Sequence, residues 1–235
     1  GECAIVPMNI DFIILAAGKG TRMGGDSPKV LASLAGKPMI QHLIDTVDSF
    51  QGSRTSIVVG YKSNEVTRDL VSQKKLRLVK QKNQLGTAHA VKQALPNIRK
   101  NSVAVILYGD VPLVKKNTLN RLIKSASTGK LSLLTFIKED PTGYGRIIRG
   151  PRKNVQKITE HKDASTAEKE IREVNSGILA IKANLLQQFI SKIKNNNAAK
   201  EYYLTDLVEI SNNHSVDVVA TLCDPYEVGL SLIHI

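Results

Sequence analysis

The sequence contains no tryptophan and only 4% aromatic residues, so it is poorly furnished with the stacking platforms that hold single-stranded nucleic acid. Its two cysteines, Cys3 and Cys223, lie near opposite ends without metal-ligand spacing. That pattern excludes a disulfide framework or a cysteine zinc site and leaves two inert thiols. No apolar run approaches the roughly 20 residues that a membrane span requires. The opening segment Gly1 to Pro7 carries Glu2, has no basic residue and is too short for a signal peptide. These absences predict a soluble, cytoplasmic chain.

Acidic residues are also scarce, 21 against 33 lysines and arginines, for a net charge of +12. Such a surface attracts polyanions, whether nucleic acid or phosphorylated small molecules. The basic residues are scattered in pairs such as Lys74-Lys75 and Lys115-Lys116, denser only from Arg146 to Lys157. No helix-turn-helix, zinc-finger or RNA-binding signature accompanies them. Most of this charge reads as solvated surface, with no nucleic acid and no membrane as partner. The five histidines, His42, His89, His161, His214 and His234, lack metal-ligand spacing.

What is present is a chain of 235 residues, 42% of them apolar, enough for the core of one large α/β domain. Short β-branched runs alternate with helical patterns through residue 137. Strands are predicted at Phe12–Leu15, Ile57–Val59, Leu76–Val79, Val103–Leu107 and Leu131–Ile137. Helices are predicted at Met39–Asp48, Asn64–Val71 with Ser63 as its cap, Thr87–Leu95 ended by Pro96, and Leu119–Ser125. This alternation implies a mostly parallel sheet covered on both faces.

From residue 138 the texture changes. Gly143, Gly145 and Gly150 with Pro141 and Pro151 mark tight turns. Strands follow at Val155–Thr159, Val174–Ile181 and Val216–Leu222, with helices at Leu185–Ile193 and near Leu204–Ile210. The expectation is an α+β lobe over 138–228 joined to a first part over 9–137. Residues 1–8 and 229–235 fit neither texture and are read as vector-derived or out-of-frame tails, which makes the chain a fragment.

Two segments carry candidate chemistry. Strand Phe12–Leu15 runs into Ala16-Ala17-Gly18-Lys19-Gly20-Thr21-Arg22-Met23-Gly24-Gly25, with Pro28-Lys29 beyond. Glycines let backbone N–H groups approach a phosphate, and Lys19, Arg22 and Lys29 supply neutralising charge. The loop matches neither a Walker motif nor a dinucleotide fingerprint, and a plain turn is the alternative reading. The second segment is Tyr108-Gly109-Asp110, where an apolar strand delivers a carboxylate at its carboxyl end. That is a common way to place a divalent metal among phosphates, although a capping or loop aspartate reads the same.

Together with further segments, these loops resemble the uridyltransferase domain of the bacterial bifunctional N-acetylglucosamine-1-phosphate uridyltransferase/glucosamine-1-phosphate acetyltransferases. The matching pieces include Leu15 to Met23, Pro28 to Leu31, Gln84-Leu85-Gly86-Thr87 and Leu107 to Leu113. They continue with Asp140 to Ile147, Glu160 to Ala164, Asn175-Ser176-Gly177 and Glu201 to Asp206, in order from residue 9 to about 227. The Gly-rich loop is shared by many sugar nucleotidyltransferases, whereas the later segments are narrower.

The resemblance implies a Rossmann-like, mostly parallel mixed sheet with helices on both faces, the nucleotide-diphospho-sugar transferase fold, plus a small α+β sugar-binding lobe. It implies synthesis of UDP-N-acetylglucosamine and pyrophosphate from UTP and N-acetylglucosamine 1-phosphate, with Mg2+ as cofactor. The backbone of Leu15, Ala16 and Gly18 would hold the uridine part, and Gln81, Gly86 and Thr87 the uracil. Arg22 and Lys29 would contact the triphosphate. Tyr108 and Gly109 would line the nucleotide–sugar junction, Asp110 would bind the metal, and Gly145, Glu160 and Asn175 would contact the sugar.

Two departures stand out. The family's Val-Asn segment, whose Asn completes the metal site, is replaced by Asp224-Pro225-Tyr226-Glu227-Val228 and the odd tail. The C-terminal left-handed β-helix acetyltransferase domain is absent as well, and the family trimer is expected to be lost with it. Nucleotide binding should then survive better than turnover. A relative using another sugar or base is the first rival; a nucleic-acid module and a non-catalytic sugar-nucleotide sensor are the others.

Overall fold

The computed structural model describes residues 8–17, 29–60, 64–70 and 75–229. Its centre is a nine-stranded sheet built on β1 (Asn9–Ala16), whose six inner residues are all buried. Parallel neighbours flank it, β4 (Arg54–Gly60) on one side and β6 (Ser102–Tyr108) on the other. A strand covered on both faces needs apolar side chains in both directions, which is why these segments read as unbroken apolar runs. Beyond β4 lies β5 (Leu76–Gln81), an edge strand with polar residues facing out.

Beyond β6 the order continues through β10 (Glu173–Lys182), β7 (Leu131–Ile137) and the edge strand β11 (Val218–Leu222). β10 runs antiparallel to both its neighbours, while β11 is parallel to β7. The second half of the chain therefore completes the sheet of the first. Only β8 (Arg146–Arg149) and β9 (Val155–Thr159) stand off the main path, as a hairpin attached to β10. A separate two-stranded hairpin, β2 (Ser33–Leu34) with β3 (Lys37–Pro38), precedes the first helix.

Alternation along β1 divides the core. Phe12 and Ile14 join a cluster with helices α1 (Met39–Asp48), α2 (Asn64–Leu70) and α4 (Lys116–Ser127). Ile13 and Leu15 face the opposite cluster, with α3 (Thr87–Ala94), α6 (Ala183–Ile190) and α7 (Leu207–Asn213). In α1, Ile40, Leu43, Ile44 and Val47 are fully buried at helical spacing. Burying each such side chain contributes about 1.5–3 kcal/mol, and truncating one to alanine costs about 2–5 kcal/mol. Two short helices, α5 (Thr166–Lys169) and α8 (Pro225–Val228), complete the set.

Several boundaries differ from expectation for physical reasons. Pro96 does not end α3 abruptly; the helix passes into a 3-10 turn, Leu95–Asn97, that tolerates proline near its start. The helix expected near Leu204 begins as a 3-10 turn, Leu204–Asp206, before α7. Ser63 and Val71, assigned to the helix now seen as α2, lie outside the described residues. The reading of the dense basic stretch as solvated surface needs correction at Arg146, which is 1% exposed. Its guanidinium donates to the carbonyls of Pro141 at 2.7 Å, Tyr144 at 2.6 Å and Lys169 at 3.3 Å. Arg149 is also engaged, donating at 2.8 Å to both carboxylate oxygens of Glu173.

Candidate functional site

Parallel strands that start level also end level, and ligands bind at their carboxyl ends. Leu15 pairs with Tyr108, Ala16 with Val59, and Gly60 with Gln81, so β1, β4, β5 and β6 deliver their last residues to one edge. The loop expected to cradle phosphates leaves this edge after Ala17. Gly18 and Arg22 lie within it, outside the described residues. At its far end, Lys29 opens a 3-10 turn, Lys29–Leu31.

There the structure joins two groups that lie 81 positions apart in the chain: Lys29 Nζ stands 3.5 Å from Asp110 Oδ2. Both side chains are partly shielded, at 17% and 33% exposure, where charge is screened less than on open surface. Gly109 fits beneath them because a Cβ there would stand 3.0 Å from Val30 and 3.4 Å from Ile40; its N–H donates to Leu15 O at 3.0 Å. Burial, and then the Asp110 charge, push the Tyr108 hydroxyl up to about 12, so it stays a proton donor at neutral pH.

On the β5 side, Gln81, Gly86 and Thr87 come together. Gly86 caps α3 at φ +108°, and a Cβ there would lie 2.5 Å from Tyr202 O, so conformation and space both demand glycine. The backbone of Tyr202 binds Leu85 O at 2.7 Å and Ala88 N at 3.0 Å, while Leu204 N donates to Thr87 Oγ1 at 3.0 Å. The segment Glu201 to Asp206 is thus laced to the loop that precedes α3. Gln84 ties the same loop to the end of β1, its Nε2 donating to Ala17 O at 2.6 Å.

On the other side, Gly145, Glu160 and Asn175 are brought together across β8, β9 and β10. Asn175 N donates to Gly145 O at 2.9 Å, and a Cβ on Gly145 would lie 3.4 Å from Glu160 Oε1. Burial, and then the nearby Asp163, raise the Glu160 carboxyl above its ordinary range. A bulge in β10 between Asn175 and Leu179 links this group to the centre. At the bulge Gly177 adopts φ +88°, and any Cβ there would meet the Tyr108 ring at 2.8 Å. Tyr108, two residues before Asp110, therefore packs against the β10 bulge that follows Asn175.

Sequence reasoning missed four contributors. Arg146 anchors the turn before Gly145, and Gly177 makes room for Tyr108. His89 contacts Gln81, with Nδ1 2.8 Å from Gln81 Nε2. Glu227, 3% exposed, accepts from Lys115 N at 2.8 Å and so docks α8 on the loop that follows Asp110. Arg146 and Gly177 lie within the matching segments Asp140 to Ile147 and Asn175 to Gly177 without an assigned role, and His89 follows Gly86-Thr87 in the helix that Gly86 caps. The Cys223 thiol is raised to about 12 by burial and then by Glu227, so it stays protonated at neutral pH; Cys3 lies outside the described residues.

Among the described residues no group of three or more His, Cys, Asp or Glu is placed to hold a metal ion. A divalent cation in a site of this kind is carried by one or two carboxylates together with substrate phosphates. Asp110 fits that role and would be the protein's ligand. No helix among the described residues is long and apolar enough to cross a membrane.

Comparison with known proteins gives the family and the fold. Residues 12–174 match the family model of the MobA-like NTP transferase domain. The bifunctional protein GlmU of Cellvibrio japonicus is 44% identical over 209 residues, which are 89% of this chain and 46% of that protein. Its counterpart in Bordetella petrii is 47% identical over 214 residues, 90% of this chain and 47% of that protein. The chain thus spans about half the length of the curated relatives it matches. A putative glucose-1-phosphate thymidylyltransferase of Bacillus anthracis superposes with a TM-score of 0.73 at 18% identity, over 92% of this chain and 87% of that one, a likeness of fold.

Proposed function

The chain belongs to the family of MobA-like NTP transferase domains, and from that premise we propose that it transfers a uridylyl group from UTP to N-acetylglucosamine 1-phosphate. The products are UDP-N-acetylglucosamine and pyrophosphate, supplied to cytoplasmic synthesis of peptidoglycan and lipopolysaccharide precursors. The observation that carries this reading is the meeting of Lys29 and Asp110 at 3.5 Å, between a base-side group and a sugar-side group.

A phosphate oxygen of the sugar attacks the α-phosphorus of UTP in line. The bond from that phosphorus to the bridging oxygen breaks, and its electron pair leaves with pyrophosphate. The nucleophile is already an anion, so no proton has to be removed and no covalent intermediate is required. The obstacle is repulsion between two anions, and the protein's contribution is positioning and charge.

In this reading Lys29, with Arg22 from the preceding loop, neutralises the triphosphate, each charge-assisted contact contributing about 1.5–3 kcal/mol. Asp110 holds Mg2+, which would neutralise phosphate charge and favour departure of pyrophosphate. Leu15, Ala16 and Gly18 support the uridine by their backbone, while Gln81, Gly86 and Thr87 read the base. The Tyr108 hydroxyl and Gly109 line the junction. Glu160 accepts from sugar hydroxyls, and Gly145 and Asn175 shape the pocket around them.

The test measures pyrophosphate release with Mg2+ from UTP and N-acetylglucosamine 1-phosphate, alongside calorimetric binding of UDP-N-acetylglucosamine. Release that depends on both substrates is expected. A faster rate with glucose 1-phosphate or dTTP would reassign the substrate. Failure of the folded protein to bind the sugar nucleotide would overturn the reading.

A further inference from the structure

We propose that His89 is a positioning residue for base selection: its unprotonated Nδ1 holds the Gln81 amide so that Oε1, an acceptor, is the end offered to the base. The inference deepens the proposed function and rests on it.

Gln81 ends β5 and is 3% exposed, so its amide cannot be oriented by bulk water. Its Nε2 stands 2.8 Å from His89 Nδ1 and 3.4 Å from Gly86 O. An amide nitrogen donates two hydrogens and accepts nothing. Both hydrogens are thus directed inward, one to the ring and one to a backbone carbonyl. Oε1 accepts no hydrogen bond among the described residues, and neither does the N–H of neighbouring Gly86 donate one among them.

An acceptor on Gln81 beside a donor on Gly86 complements an imide edge, N–H next to C=O. Uracil carries that edge. Cytosine reverses it, with a bare ring nitrogen next to an amino group. Turning the Gln81 amide end for end would remove the preference, and the groups that oppose the turn are His89 Nδ1 and Gly86 O. The second contact is long, so the imidazole dominates.

The ring can do this only when neutral, with its proton on Nε2. Burial, followed by repulsion from Lys92, lowers the His89 pKa and favours the neutral form. Gln93 stands behind the ring, its amide nitrogen 3.3 Å from His89 Nε2, a longer contact than the 2.8 Å between Nδ1 and Gln81 that sets the tautomer of the ring. The same side chain is anchored to its own helix, 3.1 Å from His89 O.

The test compares dissociation constants for UTP and CTP, measured calorimetrically on the full chain, in the unsubstituted protein and in His89→Leu and His89→Asn. The unsubstituted protein is expected to prefer UTP. His89→Leu, which leaves the amide free to turn, should lower that preference about fivefold to tenfold, the scale of one base-reading hydrogen bond. His89→Asn places an acceptor where Nδ1 stood and should retain the preference within about twofold. An unchanged preference in His89→Leu overturns the inference and leaves the uridylyl-transfer reading intact. Equal binding of UTP and CTP by the unsubstituted protein overturns both. If His89→Leu does not fold, nitrogen-15 NMR of the histidine-labelled native chain decides, because a proton on Nδ1 rules the arrangement out.

Discussion

The nucleotide and sugar ends proposed for the site are built by different means. At the nucleotide end, β1, β4, β5 and β6 stop together because their parallel registers are locked, and Gln81, Tyr108 and Asp110 need only be the last residues of buried strands or follow directly. At the sugar end, Gly145, Glu160 and Asn175 come from a short hairpin and a bulged strand. Their positions depend on a buried guanidinium capping three carbonyls and on Arg149 gripping Glu173. The first end inherits its precision from the sheet. The second has to hold its loops individually, so substitutions in its supports should be felt in sugar binding before they are felt in nucleotide binding.

The largest effect should come at the nucleotide end, where chemistry and scaffold are separable. Asp110→Ala should lower turnover about a thousandfold, equivalent to about 4 kcal/mol of the barrier, with the thermal midpoint nearly unchanged. Near-native rates in that variant would remove Asp110 from the mechanism.

Next is Arg146→Met, which leaves buried carbonyls unpaired and should cost about 2–3 kcal/mol of stability. For a chain of this size the melting temperature should fall by about 5–10 °C. KM for N-acetylglucosamine 1-phosphate should rise in the surviving protein more than KM for UTP. Equal changes in both would erase the contrast between the two ends.

Gly86→Ala should do the reverse. Its new methyl group meets Tyr202 O, and the backbone is held at positive φ, so about 1–2 kcal/mol is expected to be lost. Weakening should appear in UTP binding by about tenfold, with sugar 1-phosphate binding the less affected; titration calorimetry with each ligand resolves the two.

The smallest effect tests charge at the sugar end. The Glu160 carboxyl has a raised pKa because burial and Asp163 disfavour its ionised form. The folded chain therefore holds that proton more tightly than the unfolded chain, and the stability it confers at low pH is lost as pH rises through the folded value. Glu160→Gln should melt slightly higher than the parent at pH 8 and no higher at pH 4, while sugar binding weakens several-fold. The thermal gain stays small because Glu160 is only partly withdrawn from solvent, which screens much of the effect. A variant that melts lower at pH 8 contradicts the assigned cause of the shift.

Legibility depended on how much of an element's pattern is local. Helix α1 and strand β7 are found at the bounds predicted for them, because continuous apolar or periodic runs have one way to be buried. Strand β8 was missed because Arg146-Ile147-Ile148-Arg149 resembles a charged turn, and nothing local indicates that its first arginine is interior. The β2–β3 hairpin has only two residues per strand, too few for alternation to show, and its Ala35-Gly36 turn puts alanine at φ 49° before glycine at φ 85°. Among the site residues, the pairing of Lys29 with Asp110 and of Gly177 with Tyr108 was invisible in a linear reading.

The sequence by itself determined most of the segments that become strands and helices, since period and apolarity are local properties that burial rewards wherever the segment lies. It also carried the glycines and charges that suit phosphate chemistry. Only the tertiary structure decided that β10 would lie between β6 and β7, that its bulge would meet Tyr108, and that Arg146 would be interior. Those outcomes depend on contacts between residues tens of positions apart, whose balance of desolvation and hydrogen bonding exists only once the sheet has closed around them.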